Sequence, residues 1–201
     1  MARTASTTTR PLTYAFSYGF LGGPGLSRRL RKRLEGEGLV KTADANQADI
    51  IIAHSAGCWL IPPTARPKLV IYVGMCLAEA YPHETFITAQ RENIRAFFKN
   101  LHVLRGVSIA LLCLYYGLMQ PVRNRDIIRG AKQARAATEV PGARAVFIAN
   151  RNDPWPRPKN LQTYMDSRDW AFISLPGTHD DIWEHSDDYA AIIDHYARLL
   201  A

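Results

Sequence analysis

The chain alternates between short runs that are apolar throughout and longer segments in which apolar residues recur at helical spacing. Residues 50–53 read Ile-Ile-Ile-Ala, 69–73 read Leu-Val-Ile-Tyr-Val and 145–149 read Ala-Val-Phe-Ile-Ala. None of these runs alternates with polar residues, which is the pattern of strands buried on both faces of a parallel sheet. Aromatic and β-branched residues make 12–20 and 171–175 two further strands, and 39–42 a short one. Between them, 28–37 carries Leu30 and Leu34 on one face, with Ser27 placed to cap its start and Gly36 or Gly38 to end it. Residues 43–48 suit a brief helix or turn, and 187–200 closes the chain as an amphipathic helix. A helix beginning at Ala56 is limited to about two turns by Pro62 and Pro63, which lack the backbone donor a helix interior needs. Strands alternating with helices predict an α/β fold, a mostly parallel, doubly wound sheet of about six strands.

The middle of the chain breaks this rhythm. Residues 79–132 read as several helices, an insert with the character of a lid. Within it, 107–119 is uncharged, but it is shorter than the roughly 20 residues a bilayer span needs, and Arg105 and Arg123 flank it. A buried helix or an apolar-lined lid is the expectation, with no stable membrane insertion. Residues 1–11 are rich in Thr and Ser and lack the apolar stretch of a secretory signal, so they are read as a disordered tail. The remainder, 12–201, is read as one domain.

Composition narrows the classes. With 47% hydrophobic and 21% charged residues the 201-residue chain is globular. The net charge of +7 is concentrated in Arg28, Arg29, Arg31, Lys32 and Arg33. No aromatic residue interleaves that run for base stacking, so it is read as a solvated helix face and no nucleic-acid partner is expected. Three widely spaced cysteines, Cys58, Cys76 and Cys113, fit neither a disulfide framework nor a zinc cluster. Reduced thiols in a cytoplasmic protein are the simplest account. The oligomeric state is left open.

The chemistry gathers where the run 50–53 stops, at Ala53-His54-Ser55-Ala56-Gly57. Small residues two before and two after a serine suit a sharp strand-to-helix turn, which brings two backbones together and lifts the hydroxyl clear of the sheet. Ser55 as an ordinary helix cap fits the same pentapeptide. A serine nucleophile also needs a base, and the base a carboxylate to orient it. Asp153 follows the strand 145–149 and His179 follows 171–175, both in turn-rich loops at the carboxyl edge of a parallel sheet. Glu79, just past 69–73, is a rival acid. Cys58 is expected to face the core, and His185 and His195 suit the final helix. Gly23-Pro24-Gly25, with Asp44 further on, lacks the third glycine of a dinucleotide fingerprint because Arg28 occupies that position. No metal-ligand spacing occurs, and no cofactor is expected.

The order Ser55, Asp153, His179 resembles that of an α/β-hydrolase triad, and nearly all of 13–201 is similar to the compact serine hydrolases of the retinoblastoma-binding-protein-9 (YdeN-like) family. The resemblance implies Ser55 as nucleophile, Asp153 as acid and His179 as base. It also implies an oxyanion hole from the Ala56 amide and from the loop after the first strand. There the usual His-Gly pair reads Tyr18-Gly19, which makes the Phe20 amide the second donor. Gly19, Leu21 and His54 are grouped with the substrate-binding set, although the His54 side chain is expected to point away from the nucleophile. Ala53 in place of the usual first glycine, and the early Pro62-Pro63, depart from the pattern. The expected activity is a carboxylesterase-like cleavage of a small or acyl-type ester. Alternatives on the same fold are a thioesterase, amidase or acyltransferase with the same triad, or a non-catalytic binding protein.

Overall fold

Six parallel strands form one sheet: β1 (Thr13–Ser17), β2 (Val40–Lys41), β3 (Ile50–His54), β4 (Leu69–Val73), β5 (Arg144–Asn150) and β6 (Ala171–Leu175), in the spatial order β2-β1-β3-β4-β5-β6. The structure is a computed structural model, and it describes residues 10–19, 24–75, 139–153 and 168–200. The insert expected at 79–132, with Glu79, Cys76 and Cys113, lies outside the described residues, as do residues 1–9.

Strand alternation explains why the apolar runs have no polar face. Ile50 and Ile52 of β3, Ile71 of β4 and Val146 and Ile148 of β5 point to one side, where they meet Leu30 and Leu34 of α1 (Arg28–Gly36), Ile182 of α2 (Asp181–Glu184) and Tyr189 and Ile193 of α3 (Ser186–Arg198). Ile51 and Ala53, Val70 and Tyr72, and Ala145, Phe147 and Ala149 point to the other, against Ile61 and Ala65. Full burial of one such large side chain is worth about 1.5–3 kcal/mol. The basic run lies on α1, where Arg29 and Arg33 pair with Asp187 of α3 at 3.0 and 2.6 Å.

Two local expectations change. Ser27 precedes α1, but its hydroxyl makes no cap; it meets Tyr18 Oη at 2.7 Å. The segment after β3 is a five-residue 3₁₀ helix, Ser55–Trp59, rather than an α-helix. It closes with the Leu60 N–H on the Gly57 carbonyl at 3.0 Å, and beyond Ile61 the prolines at 62 and 63 have no backbone donor. Among the described residues no helix is long and apolar enough to cross a membrane.

The chain direction reverses between β1 and β3. From β1 the chain crosses outward to β2, and from β3 it proceeds the other way to β4. The carboxyl ends of these neighbours are the position where open parallel sheets bind ligands.

The opposite, amino edge is held by Asp49. This buried residue accepts hydrogen bonds from the Thr13 N–H and Thr13 Oγ–H, both at 2.9 Å, and pairs with Arg10 at 3.0 Å and Lys68 at 3.4 Å. Burial alone would raise its pKa, but the Thr13 hydrogen bonds and the Lys68 charge outweigh that and hold the carboxyl below its ordinary value of 3.8. A depressed folded pKa gives stability that is present above the ordinary carboxylate range and is lost as pH falls through it. Asp49→Asn is expected to cost about 1–3 kcal/mol near neutrality in urea unfolding. The gap to the parent protein should narrow as pH drops through the carboxylate range. A gap independent of pH would show that shape, not charge, carries the effect.

Candidate active site

Ser55 has φ +55° and is the one non-glycine residue with positive φ among the described residues. That left-handed conformation costs a residue with a Cβ about 1–3 kcal/mol and persists only where its surroundings hold it. The surroundings here are the end of β1. A Cβ on Gly57 would lie 2.1 Å from the Ser17 carbonyl oxygen, so only glycine lets the turn close against β1. The Ser17 Oγ–H then donates to the Gly57 carbonyl at 2.6 Å. Ala53, the small residue on the other side of Ser55, is fully buried in the sheet. Cys58 is also buried, donates its S–H to the Ala53 carbonyl at 3.4 Å, and has its thiol pKa pushed up by burial, so it stays protonated.

Asp153 and His179 meet past the ends of β5 and β6. His179 Nδ1 lies 2.8 Å from Asp153 Oδ2, and the Asp153 side chain has 0% exposure. With the carboxylate ionised, the proton sits on Nδ1 and Nε2 carries the lone pair. Burial disfavours the imidazolium, but the adjacent Asp153 charge, its hydrogen bond and Asp180 more than offset this, so the His179 pKa is raised above its ordinary 6.5. Gly74, directly after β4 with φ +55°, forms the floor: a Cβ there would stand 3.0 Å from both Asp153 Oδ2 and His179 Nδ1.

The loop that carries His179 is fixed by its backbone. Three consecutive carbonyls each accept a hydrogen bond. Gly177 O takes the Asn152 N–H at 3.0 Å, Thr178 O takes the Asn150 side-chain amide, and His179 O takes His54 Nε2–H at 2.9 Å. Asn150 is itself buttressed by the Tyr189 hydroxyl of α3 at 2.7 Å. Arg151 N–H to Leu175 O, at 2.9 Å, joins the acid loop to the histidine loop at their base. His54 is buried; its ring centroid lies 4.8 Å from that of His179 and 5.2 Å from that of Trp183. Burial, with the His179 charge second, lowers the His54 pKa to about 4, so this imidazole is neutral at ordinary pH.

Of the residues singled out in the sequence, Asp153 and His179 come together directly. Among the described residues no hydrogen bond joins Ser55 to His179; the link between them runs through His54, the neighbour of one and the hydrogen-bond partner of the other. Gly19 follows β1 at the same edge, and Ala56 is the second residue of the 3₁₀ segment. Phe20 and Leu21 lie outside the described residues. Asn150, Tyr189 and Gly74 were not anticipated. Strand parity was the available signal for Asn150, since counting by twos from Val146 and Ile148 puts a polar residue among buried ones. Gly74 carried only its place directly after a buried strand. In and just after α2, buried Asp181, half-buried Glu184 and exposed His185 bring ligand-type atoms within 4.8 Å of one another.

No family model matches the sequence, and no curated protein matches it. Solved structures do. The thioesterase domain from the curacin biosynthetic pathway is similar at 13% identity, with 92% of this chain and 91% of that one covered and a TM-score of 0.58. The monoacylglycerol lipase of Paleococcus ferrophilus is similar at 11% identity, covering 92% and 93%, with a TM-score of 0.53. An extracellular α/β-hydrolase from a Paenibacillus species is similar at 11% identity, covering 91% and 98%, with a TM-score of 0.55. At these identities the likeness is one of backbone architecture, and together with the six-stranded parallel sheet it establishes that the chain has the α/β-hydrolase fold.

Proposed function

We propose that this protein is a cofactor-independent serine hydrolase that cleaves esters of small or acyl-type substrates. The observation that carries the reading is the buried Asp153–His179 pair at 2.8 Å, standing at the same sheet edge as a left-handed Ser55. Ser55 Oγ attacks the substrate carbonyl as His179 Nε2 takes its proton. The collapsing intermediate expels the alcohol, which leaves with that proton. Water, activated by the same imidazole, then attacks the acyl-Ser55 ester and releases the carboxylic acid. Asp153 holds the imidazole and stabilises its charged form, and the amides of Ala56 and Phe20 receive the oxyanion. The Ser55–His179 hydrogen bond is formed with substrate in place, as catalytic hydrogen bonds often tighten only in the complex. Gly19 and Leu21 border the acyl site in this reading. A thioester or amide would pass through the same steps; the thioesterase and lipase among the similar structures support acyl chemistry by fold analogy only.

Incubation with a fluorophosphonate probe is expected to label the protein, and p-nitrophenyl acetate, butyrate and octanoate should be hydrolysed. Ser55→Ala should abolish labelling and lower kcat by roughly 10⁴–10⁶. An unlabelled parent protein would favour a non-catalytic binding role, and labelling that survives Ser55→Ala would displace Ser55 as nucleophile.

The base acts in its neutral form and its pKa is raised, so kcat/KM should fall with an acid limb above 6.5. Asp153→Asn removes the charge that raises it: the limb should move down and kcat should drop by about 10⁴. A limb that stays in place would separate Asp153 from the base.

Gly74→Ala should lower kcat by on the order of 10² by pushing the Asp153–His179 pair apart. Wild-type kcat in that variant would mean that the pair tolerates displacement.

A further inference from the structure

His54 ends β3 on the face occupied by Ile50 and Ile52, so alternation turns its ring toward α2 and away from the side on which Ser55 continues the chain. It is 4% exposed, which leaves no surface for a substrate. Its one N–H as a neutral imidazole sits on Nε2 and is given to the His179 carbonyl. What remains is a contact with another residue's backbone, and that residue is the proposed base. The three pinned carbonyls differ in what holds them. Gly177 O is held by a backbone amide, which any residue at 152 except proline would supply. Thr178 O is held by the Asn150 side chain and by the Asp181 N–H at 3.3 Å, while His179 O is held by the side chain of His54, which belongs to the strand that delivers Ser55.

We propose that His54 is a positioning residue for His179: by donating Nε2–H to the His179 carbonyl and lying against its ring, it ties the base loop to the nucleophile's own strand and sets the distance between base and nucleophile. This rests on the reading of Ser55 and His179 given above. The imidazole of His179 must reach Ser55 in one step and the leaving oxygen in the next, with Asp153 on its far nitrogen throughout. A loop free to slide along the sheet edge would keep the Asp153 contact and lose the reach to Ser55. The bond from His54 removes that freedom because it originates one residue from the nucleophile. Trp183, edge-on to His54 at 5.2 Å and 74°, fixes the His54 ring in turn.

The test compares His54→Gln, whose side-chain amide reaches about as far as imidazole Nε2, with His54→Asn, one methylene shorter, and His54→Leu, which has no donor. Asn and Leu are expected to lower kcat by about 10² with KM nearly unchanged, while Gln retains most of the activity. The far-downfield proton of the His179 Nδ1–H···Asp153 bond, read by NMR, should stay sharp in the parent protein and in Gln, and should broaden or shift in Asn and Leu. If Leu does not fold, the Gln and Asn pair decides, since the two differ by one methylene and not in chemistry. Equal kcat and equal resonances in Gln and Asn would overturn the proposal. The resonance reports on the loop without turnover, so a parent protein that neither labels nor hydrolyses would defeat the hydrolase reading while leaving the hold of His54 on His179 measurable.

Discussion

A carboxylate with no exposed side-chain surface cannot stand alone, because leaving water costs an unpaired ion several kcal/mol. Asp153 is such a group, and His179 is what makes its burial tolerable. The pairing draws the loop after β6 over the loop after β5, and it requires the absence of a side chain at position 74 beneath both. Once the imidazole is placed, its own backbone must be held, and the carbonyls of 177, 178 and 179 find donors from β3, β5 and the loop beyond β5. One desolvated charge thus organises contacts from four strands at a single edge of the sheet.

The second constraint is steric. Parallel strands all end at the same edge, so residues just beyond β1, β3, β4, β5 and β6 become neighbours whatever their distance in sequence. Where β1 and β3 lie side by side, the chain leaving β3 must turn at once. The turn closes by setting Ser55 in the left-handed region and pressing the Gly57 backbone onto Ser17. The strain at Ser55 is offset by the packing of the fully buried strand behind it.

Much of this was legible in the sequence because the signals were local. β4 and β6 match their apolar runs residue for residue, and β3 and β5 differ at their ends only. Asp153 and His179 were found from their position after strands, which parallel topology converts into proximity. The misses have physical causes. Ser27 has the composition of a cap, but a tertiary partner, Tyr18, takes its hydroxyl. The segment after Ser55 is kept short by Pro62 and Pro63 as expected, but it is 3₁₀ and not α, closing against Ser17 of β1. Asn150, Tyr189 and Gly74 matter through contacts with residues far away in the chain, which no single-sequence window contains. His54 was noticed beside the serine, but its partner lies 125 positions away.

That separation has a kinetic consequence. Contacts so distant in sequence carry a loop-closure entropy that must be met before they form, which slows folding. Here the His179 loop is pinned on one side by β3, from the first third of the chain, and on the other by Asn150, which leans on Tyr189 of α3, the last described helix. The sheet edge can be built and Ser55 strained into place while the imidazole is still loose. Placement of the His179 ring therefore depends on α3 as well as on the sheet. Amide exchange in α3 and access to the site report on the same opening event.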